Sequence, residues 1–424
     1  MNAAPLIACH ECDLLQRETT LASGGTAHCR RCGATLYRNP PASVDRALAL
    51  TLAAMVLFMV ANSFPIVGLS VNGTLIETTL FGAARVLYDD GVWPLAGLVF
   101  VTTLLMPLLD MAAVTYLLLP LRTGHIPRRP DIVLRVLRRV TPWGMTEVLI
   151  LGMLVALVKL AAIATVVPGL AIWAFGAVML LLAAAASTFD PHDIWARIER
   201  ARGVRIAGAS PFGQISAPAL TAARAGLFVC HDCGLLSQPA SHAHEGHCPR
   251  CGAGLHFRKP GSIARTWAFV IAAVILYIPA NILPVMDTSS LFGAQTDTIL
   301  SGVVYLWTSG SWPLAVIVFI ASIAVPMLKI LALIFLVVTA QLRWRWLPRR
   351  RARIYRLVEL VGRWSMLDIY VITILVALVQ FNALATIKAG AGAIAFGAVV
   401  VLTMFAAMSF DPRLIWDAME PDHE

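Results

Sequence analysis

All eight cysteines of the chain stand in Cys-x2-Cys pairs: Cys9 with Cys12, Cys29 with Cys32, Cys230 with Cys233, and Cys248 with Cys251. Sixteen residues separate the first two pairs and fourteen separate the last two. Pairs at this spacing read as a zinc ribbon, two facing knuckles with four thiolates around one tetrahedral Zn2+. Gly33, Gly234 and Gly252 follow the second cysteine of a pair, where φ > 0 lets the knuckle fold back. Asp13 takes that place in the first knuckle. Arg30, Arg31 and Arg250 can offset the negative charge of the thiolates. The flanks repeat, CHECDLL against CHDCGLL and HCRRCG against HCPRCG, so two structural zinc ions are expected. The alternatives are disulfides, which need an oxidising compartment, and a rubredoxin-like iron site. His10, His28, His231 and His247 flank the cysteines, but four thiolates already complete a site.

A second set of chemistry-bearing residues lies inside apolar stretches. Lys329 sits deep in one, and Asp368 opens the next, after Arg363, Trp364 and Ser365. An ionisable group in a membrane span is expensive and is a functional candidate by default. A Lys–Asp pair on neighbouring helices can neutralise itself, bind a head group or pass a proton. Ser322, seven residues before Lys329, falls on the same helical face, and Thr403 is a further hydrogen-bonding candidate. The first half carries Asp110, Glu147 and Thr103 at the matching places, with Lys159 further along. Asp110 and Glu147 are like charges where the second half has opposite ones, so the second half is expected to hold the working site. The competing reading is that Lys329 snorkels to the membrane surface. Asn62, Pro65, Asn281 and Pro284 are expected to shape a break near one end of a span.

These residues must be positioned by helices. Of the 424 residues, 58% are hydrophobic and only 13% charged, against about 25% charged in soluble domains. Trp93 to Leu119 is nearly unbroken apolar sequence, longer than the about 20 residues that cross a bilayer. Trp312 to Val338 repeats it 219 positions later, with Pro94 and Pro107 matched by Pro313 and Pro326. The expected spans are 47–69, 93–119, 143–167 and 170–189, then 265–286, 312–338, 364–387 and 391–410. Shared marks, ANSFP and ANILP, GVWPLA and GSWPLA, FDPHDIW and FDPRLIW, make this a tandem duplication. The expected fold is an all-α polytopic membrane protein with two four-helix units, each led by a small zinc ribbon. Its expected parts are ribbon 1 (1–42), unit 1 (43–200), a linker (201–224), ribbon 2 (225–261) and unit 2 (262–424).

Arg122 to Pro142 holds six arginines and Gln341 to Arg363 holds eight, whereas loops 70–92 and 287–311 hold only Arg85. The positive-inside rule then puts the ribbons and both termini in the cytoplasm and the acidic loops outside. Four spans per unit give a parallel repeat about an axis along the membrane normal. The net charge of +9 is accounted for by these arginines rather than by nucleic acid. The N-terminus has no basic region followed by an apolar one, so no cleavable signal peptide is expected. No G-x-x-x-x-G-K-[ST], G-x-S-x-G or H-E-x-x-H run occurs, and no catalytic residue is assigned.

Two ribbons, each leading four spans with A-N-x-x-P, G-x-W-P and F-D-P marks, resemble the paraquat-inducible protein A (PqiA) family over essentially the whole chain. The resemblance implies an inner-membrane protein of a Gram-negative bacterium. It implies work with periplasmic MCE-domain tunnel proteins, and movement of lipids between the inner membrane and such a tunnel, not enzyme catalysis. The alternative class is a membrane redox or stress-sensing protein that uses the cysteine sets.

Overall fold

Pro65 and Pro284 each follow an apolar stretch and each marks where helix gives way to strand, because the residue before proline is pushed out of the helical region. In the first unit the order is β1 (Leu6–Ala8), β2 (Leu15–Arg17), β3 (Thr26–His28), β4 (Thr35–Arg38), α1 (Ser43–Ser63), β5 (Val67–Val71), β6 (Thr74–Thr78), α2 (Leu80–Asp89) and α3 (Trp93–Phe100). A π turn (Val101–Leu105) leads into α4 (Met106–Arg122), followed by α5 (Pro130–Val140), α6 (Thr146–Ala161), β7 (Thr165–Pro168), α7 (Leu170–Thr188) and α8 (Pro191–Arg202). The second unit repeats this plan. It runs β8 (Phe228–Val229), β9 (Leu236–Ser237), β10 (Gly246–His247), β11 (Gly254–Leu255), α9 (Ser262–Ile282), β12 (Met286–Ser290), β13 (Gly293–Asp297), α10 (Ile299–Thr308) and α11 (Trp312–Phe319). After a second π turn (Ile320–Ala324) come α12 (Val325–Gln341), α13 (Pro348–Trp364), α14 (Leu367–Leu378), β14 (Gln380–Phe381), β15 (Ala385–Ala389), α15 (Ala391–Ser409) and α16 (Leu414–Asp417). The computed structural model describes residues 5–40, 43–71, 74–161, 165–203, 221–238, 246–290, 293–310, 312–378, 380–381 and 385–419. Most of the expected linker 201–224 lies outside them, as does the side chain of Lys159.

Among the described residues eight helices are long and apolar enough to cross a membrane. The chain is a multi-pass membrane protein. Four expected spans end early. The first stops at Ser63, the third at Ala161, the fifth at Ile282 and the seventh at Leu378. Beyond them the described residues form strands, not further turns of helix. In unit 1 the sheet runs β6-β5-β7, and in unit 2 β13-β12-β15-β14, all antiparallel. These sheets are hidden in the sequence because an apolar strand that follows a helix directly extends the same hydropathy run. The loops expected at 70–92 and 287–311 are likewise strands plus the short helices α2 and α10.

A glycine joins each sheet to its last span. A Cβ on Gly169 would lie 2.1 Å from the Pro65 carbonyl oxygen, and one on Gly390 would lie 2.3 Å from that of Pro284. Pro284 therefore has a packing role, its carbonyl accepting from the Gly392 N–H at 2.9 Å. Asn281 bonds back to the Tyr277 carbonyl within its own helix. Gly169→Ala is expected to destabilise the protein by about 1–3 kcal/mol, the usual cost of overpacking. Gly176→Ala meets nothing within 4 Å and is expected to be neutral. Thermal unfolding in detergent compares the two, and equal midpoints would refute the close-approach argument.

The units meet where α6 crosses α14, close enough that a Cβ on Gly152 would lie 2.9 Å from Tyr370 Cβ. The ribbons cross over. Ribbon 1 packs Cys9, Cys12, Leu14 and Ala34 against Leu336, Tyr355, Phe410 and Trp416 of unit 2. Ribbon 2 packs Phe228, Cys230, Cys248 and Leu255 against Leu48, Leu117, Leu137 and Trp195 of unit 1. The two ribbons also touch, through Ala8, Leu227, Val229 and Leu236.

Candidate functional site

The knuckles fold as their turn residues require. Asp13, Gly33, Gly234 and Gly252 take φ of 61°, 76°, 73° and 69°. Each N–H at these positions donates to the carbonyl of the first cysteine of its pair, at 2.8 to 2.9 Å. The four sulfurs of each set lie within 4.8 Å of one another. Cys9 faces Cys32 at 3.5 Å and Cys12 faces Cys29 at 3.4 Å; Cys230–Cys251 and Cys233–Cys248 are both 3.5 Å. Those separations are far beyond a disulfide bond. They suit a tetrahedral centre, whose S···S edges are about 3.8 Å for metal–sulfur bonds of about 2.3 Å. Each set can hold a metal ion with no position left for water.

Charged contacts lock each ribbon to the opposite unit. Arg356 of α13 pairs with Glu11 at 3.0 Å, and its other nitrogen donates to the Cys32 carbonyl. Arg135 of α5 pairs with Asp232 at 3.0 Å and donates to the Cys251 carbonyl. Arg250, one of the arginines beside the cysteines, pairs with Glu199 at 2.7 Å instead. Between the ribbons lies a buried network. Arg413 pairs with Asp411 at 3.0 Å and with Asp13 at 3.7 Å, and Arg258 reaches Asp13 and Asp417. Arg413 Nη2 lies 2.6 Å from His231 Nε2. Burial and the Arg413 charge push the His231 pKa down to about 4, so the ring is neutral and its Nε2 accepts.

Asp411 explains the F-D-P mark. It accepts from the backbone N–H of Lys259, where ribbon 2 leads into α9, and from that of Arg413. Asp190 does the same for Arg38 and His192. Burial raises the Asp411 pKa, but Arg413 and the two N–H groups outweigh it and hold it at about 2, below the usual 3.8. A depressed carboxylate stabilises the fold above its unfolded pKa and loses that stability as pH falls through the folded one. The window is therefore from about pH 4 down to about pH 2, with roughly 2 kcal/mol at stake at 1.36 kcal/mol per pKa unit. Asp411→Asn is expected to flatten the stability profile in that window relative to wild type. Parallel profiles in urea titrations at each pH would refute it.

Lys329 is 3% exposed, so it does not snorkel. Its Nζ has no hydrogen-bond partner among the described residues, and no ion pair joins it to Asp368. Instead it packs on α13, 3.1 Å from where a Cβ on Gly362 would be. It lines a cavity of about 1840 Å3 between the ribbons and both units. Asp110, its counterpart, lines the same cavity, with its Oδ1 accepting from Thr141 at 3.0 Å. Arg138, Arg356, Glu359 and Arg413 line it towards the ribbons, with Val114, Leu182 and Met404 among its apolar walls.

Asp368, Ser322 and Thr403 are not on that lining. Ser322 is buried in the π turn, which inserts one residue before Lys329 and rotates it by roughly 100° off the shared face. The turn precedes Pro326, which has no N–H to give, and Tyr277 donates to the Ile323 carbonyl within the turn at 3.1 Å. Thr403 is buried and bonds back to the Val400 carbonyl in its own helix. Glu147 is exposed. The structure thus places Lys329 and Asp110, from the two units, on the wall of one cavity, and Asp368 off it.

The paraquat-inducible protein A family matches residues 44–199 and 263–420, most of the chain and both units. The chain belongs to that family. Two relatives from Escherichia coli (strain K12) resemble it along its length. The intermembrane transport protein PqiA is 36% identical over all of this chain and 98% of its own. The lipophilic envelope-spanning tunnel protein A is 30% identical over 97% of this chain and 91% of its own. A probable intermembrane transport protein of Haemophilus influenzae is 27% identical over 97% and 95%. No solved structure matches. The shared cavity of this PqiA-family chain was not legible in its sequence. Its walls come from α1, α4, α5, α7, α8, α12, α13, α15 and both ribbons, and the one available signal was that Asp110 and Lys329 occupy equivalent positions.

Proposed function

We propose that the protein moves lipids between the bacterial inner membrane and a periplasmic tunnel built of MCE-domain proteins. The relatives named for intermembrane transport and for an envelope-spanning tunnel support this reading. The observation that carries it is Lys329: an ammonium without an ion-pair partner among the described residues, buried in a span on the wall of a cavity large enough for a lipid head group. An ammonium held dry is costly unless an anion comes to it. A phosphate-bearing amphiphile is such an anion, and the apolar walls suit its tails.

The two cysteine sets are structural zinc sites. Cys9 and Cys12 are fully buried, which suits a metal that shapes the ribbon rather than one that exchanges electrons with solvent. The arginine-rich helices α5 and α13 and both ribbons lie in the cytoplasm, and the two sheets face the periplasm, where the partner docks. A photocrosslinker at exposed Asp89, beside the first sheet, is expected to capture an MCE-domain protein in cells. Capture of that protein only from Arg129 or Arg350, on the opposite side, would reverse the topology. A deletion strain that loses no lipid exchange between its membranes would remove the function itself.

A further inference from the structure

The two units share one plan, so a contact between them on one side has a counterpart position on the other, and one such pair differs. On one side of the α6–α14 crossing, α2 and α3 lie over α14 and α15. Leu95 and Leu98 come within 3.5 and 3.6 Å of where a Cβ on Gly397 would be. The Tyr370 hydroxyl donates to Thr102 at 3.1 Å. α2 buries Leu80, Ala83, Ala84 and Leu87, and α14 buries every residue from Leu367 to Leu378 apart from Asp368.

On the other side α10 and α11 do not cover α6 and α7 in this way. Gly176, the match of Gly397, has nothing within 4 Å of a Cβ. Leu154 is 49% exposed where its match Leu375 is 6%. Leu180 of α7 and Ile317 of α11, the match of Leu98, are also exposed. Of α10 only Val303 is buried. Leu149 and Ala321 stand where the other side has Tyr370 and Thr102, so that hydrogen bond has no counterpart in this seam. Both of its walls are apolar and both belong to helices of the membrane-spanning bundle.

We infer that this seam is a lateral portal for the hydrocarbon tail of a membrane lipid, and that the α10–α11 hairpin is its gate. The closed position is the one α2–α3 already shows on the other side. Closure in lipid gains packing but little hydrophobic free energy, because lipid tails are as apolar as the leucines they replace. Open and closed positions therefore lie close in free energy unless a polar lock such as Tyr370–Thr102 holds one. The π turn at Ile320–Ala324, at the foot of α11, supplies the bend. That a lipid passes rests on the transport reading above; that the hairpin moves does not.

The test places the photoreactive residue p-benzoyl-phenylalanine at position 317 of the full chain in native membranes, with the same residue at position 98 as control. Irradiation is followed by mass spectrometry of the products. Position 317 is expected to give two adducts, one to residues 170–188 of α7 and one carrying the mass of a phospholipid. Position 98 is expected to give only the adduct to α15. A lipid adduct at 317 without the α7 adduct makes the hairpin a fixed wall and overturns the gate. An α7 adduct without lipid overturns the portal, and capture of a second protein instead makes this face a docking surface. Both adducts in a protein that fails to restore lipid exchange would leave the gate standing and defeat the transport reading.

Discussion

Lys329→Met is expected to abolish lipid transport while leaving the protein at least as stable and as abundant as wild type. A lysine at the centre of a membrane helix costs about 2.5–3.5 kcal/mol on insertion scales. Among the described residues no ion pair offsets that cost, and Nζ has no hydrogen-bond partner there. Methionine keeps most of the side-chain volume and removes the charge. If Lys329 served only the fold, its loss would not cost transport at normal abundance. If it serves an anionic head group, activity falls while stability holds or rises, the usual trade-off at a functional site. Gly362→Ala is the companion variant, because a Cβ there would lie 3.1 Å from Nζ and would displace the ammonium without removing it. Complementation of a transport-deficient strain, read beside membrane abundance, measures both. Normal transport by Lys329→Met would eliminate this residue. Because Asp110 shares the cavity, Asp110→Asn is now expected to impair transport too, whereas the sequence suggested a mild effect. Asp368→Asn becomes the milder variant.

Cys12→Ser is expected to remove one of two zinc ions and to undo packing in the opposite unit. Structural zinc supplies about 10–16 kcal/mol of apparent binding free energy in isolated zinc-finger peptides, more than the whole stability of many domains. Without it the knuckle that presents Glu11 and Asp13 loses its shape. Asp13 lies between Arg258 and Arg413, both largely buried, and leaving a buried charge unpaired costs about 3–5 kcal/mol. The damage should therefore reach α13 and α16, which carry Arg356 and Trp416, before it reaches the helices of unit 1. Cys233→Ser should do the reverse, through Arg135 and Trp195. Zinc content with hydrogen exchange on each unit reads the result. Loss of protection in the ribbon's own unit first would refute the crossed arrangement, and wild-type protein with fewer than two zinc ions would refute the metal assignment.

Periodicity and spacing alone determined the duplication, the eight spans and the four knuckles, and the family came from resemblance of the repeated A-N-x-x-P, G-x-W-P and F-D-P marks. Each is set locally. A span is a run of apolar residues, and a Cys-x2-Cys knuckle closes through one residue at positive φ, so both can be read without knowing what they touch. Strands β7 and β15 escaped because their apolar residues continue the hydropathy of the helices before them. The pairing of Lys329 with Asp368 failed for a different reason. It assumed regular helices and contacts within one unit, but the π turn before Pro326 rotates Ser322 away, and α4 and α12 bring Asp110 and Lys329 to one cavity. Only tertiary structure decided which unit each ribbon serves, that the F-D-P aspartates hold the ribbon exits, and that one seam between the units is closed while its twin is open. Two units of nearly one sequence pattern can pack in more than one way. The choice rests on a few side chains far apart in the chain, such as Tyr370 on Thr102 and Arg413 between Asp13 and Asp411, and no local pattern encodes a contact between residues some 270 to 400 positions apart.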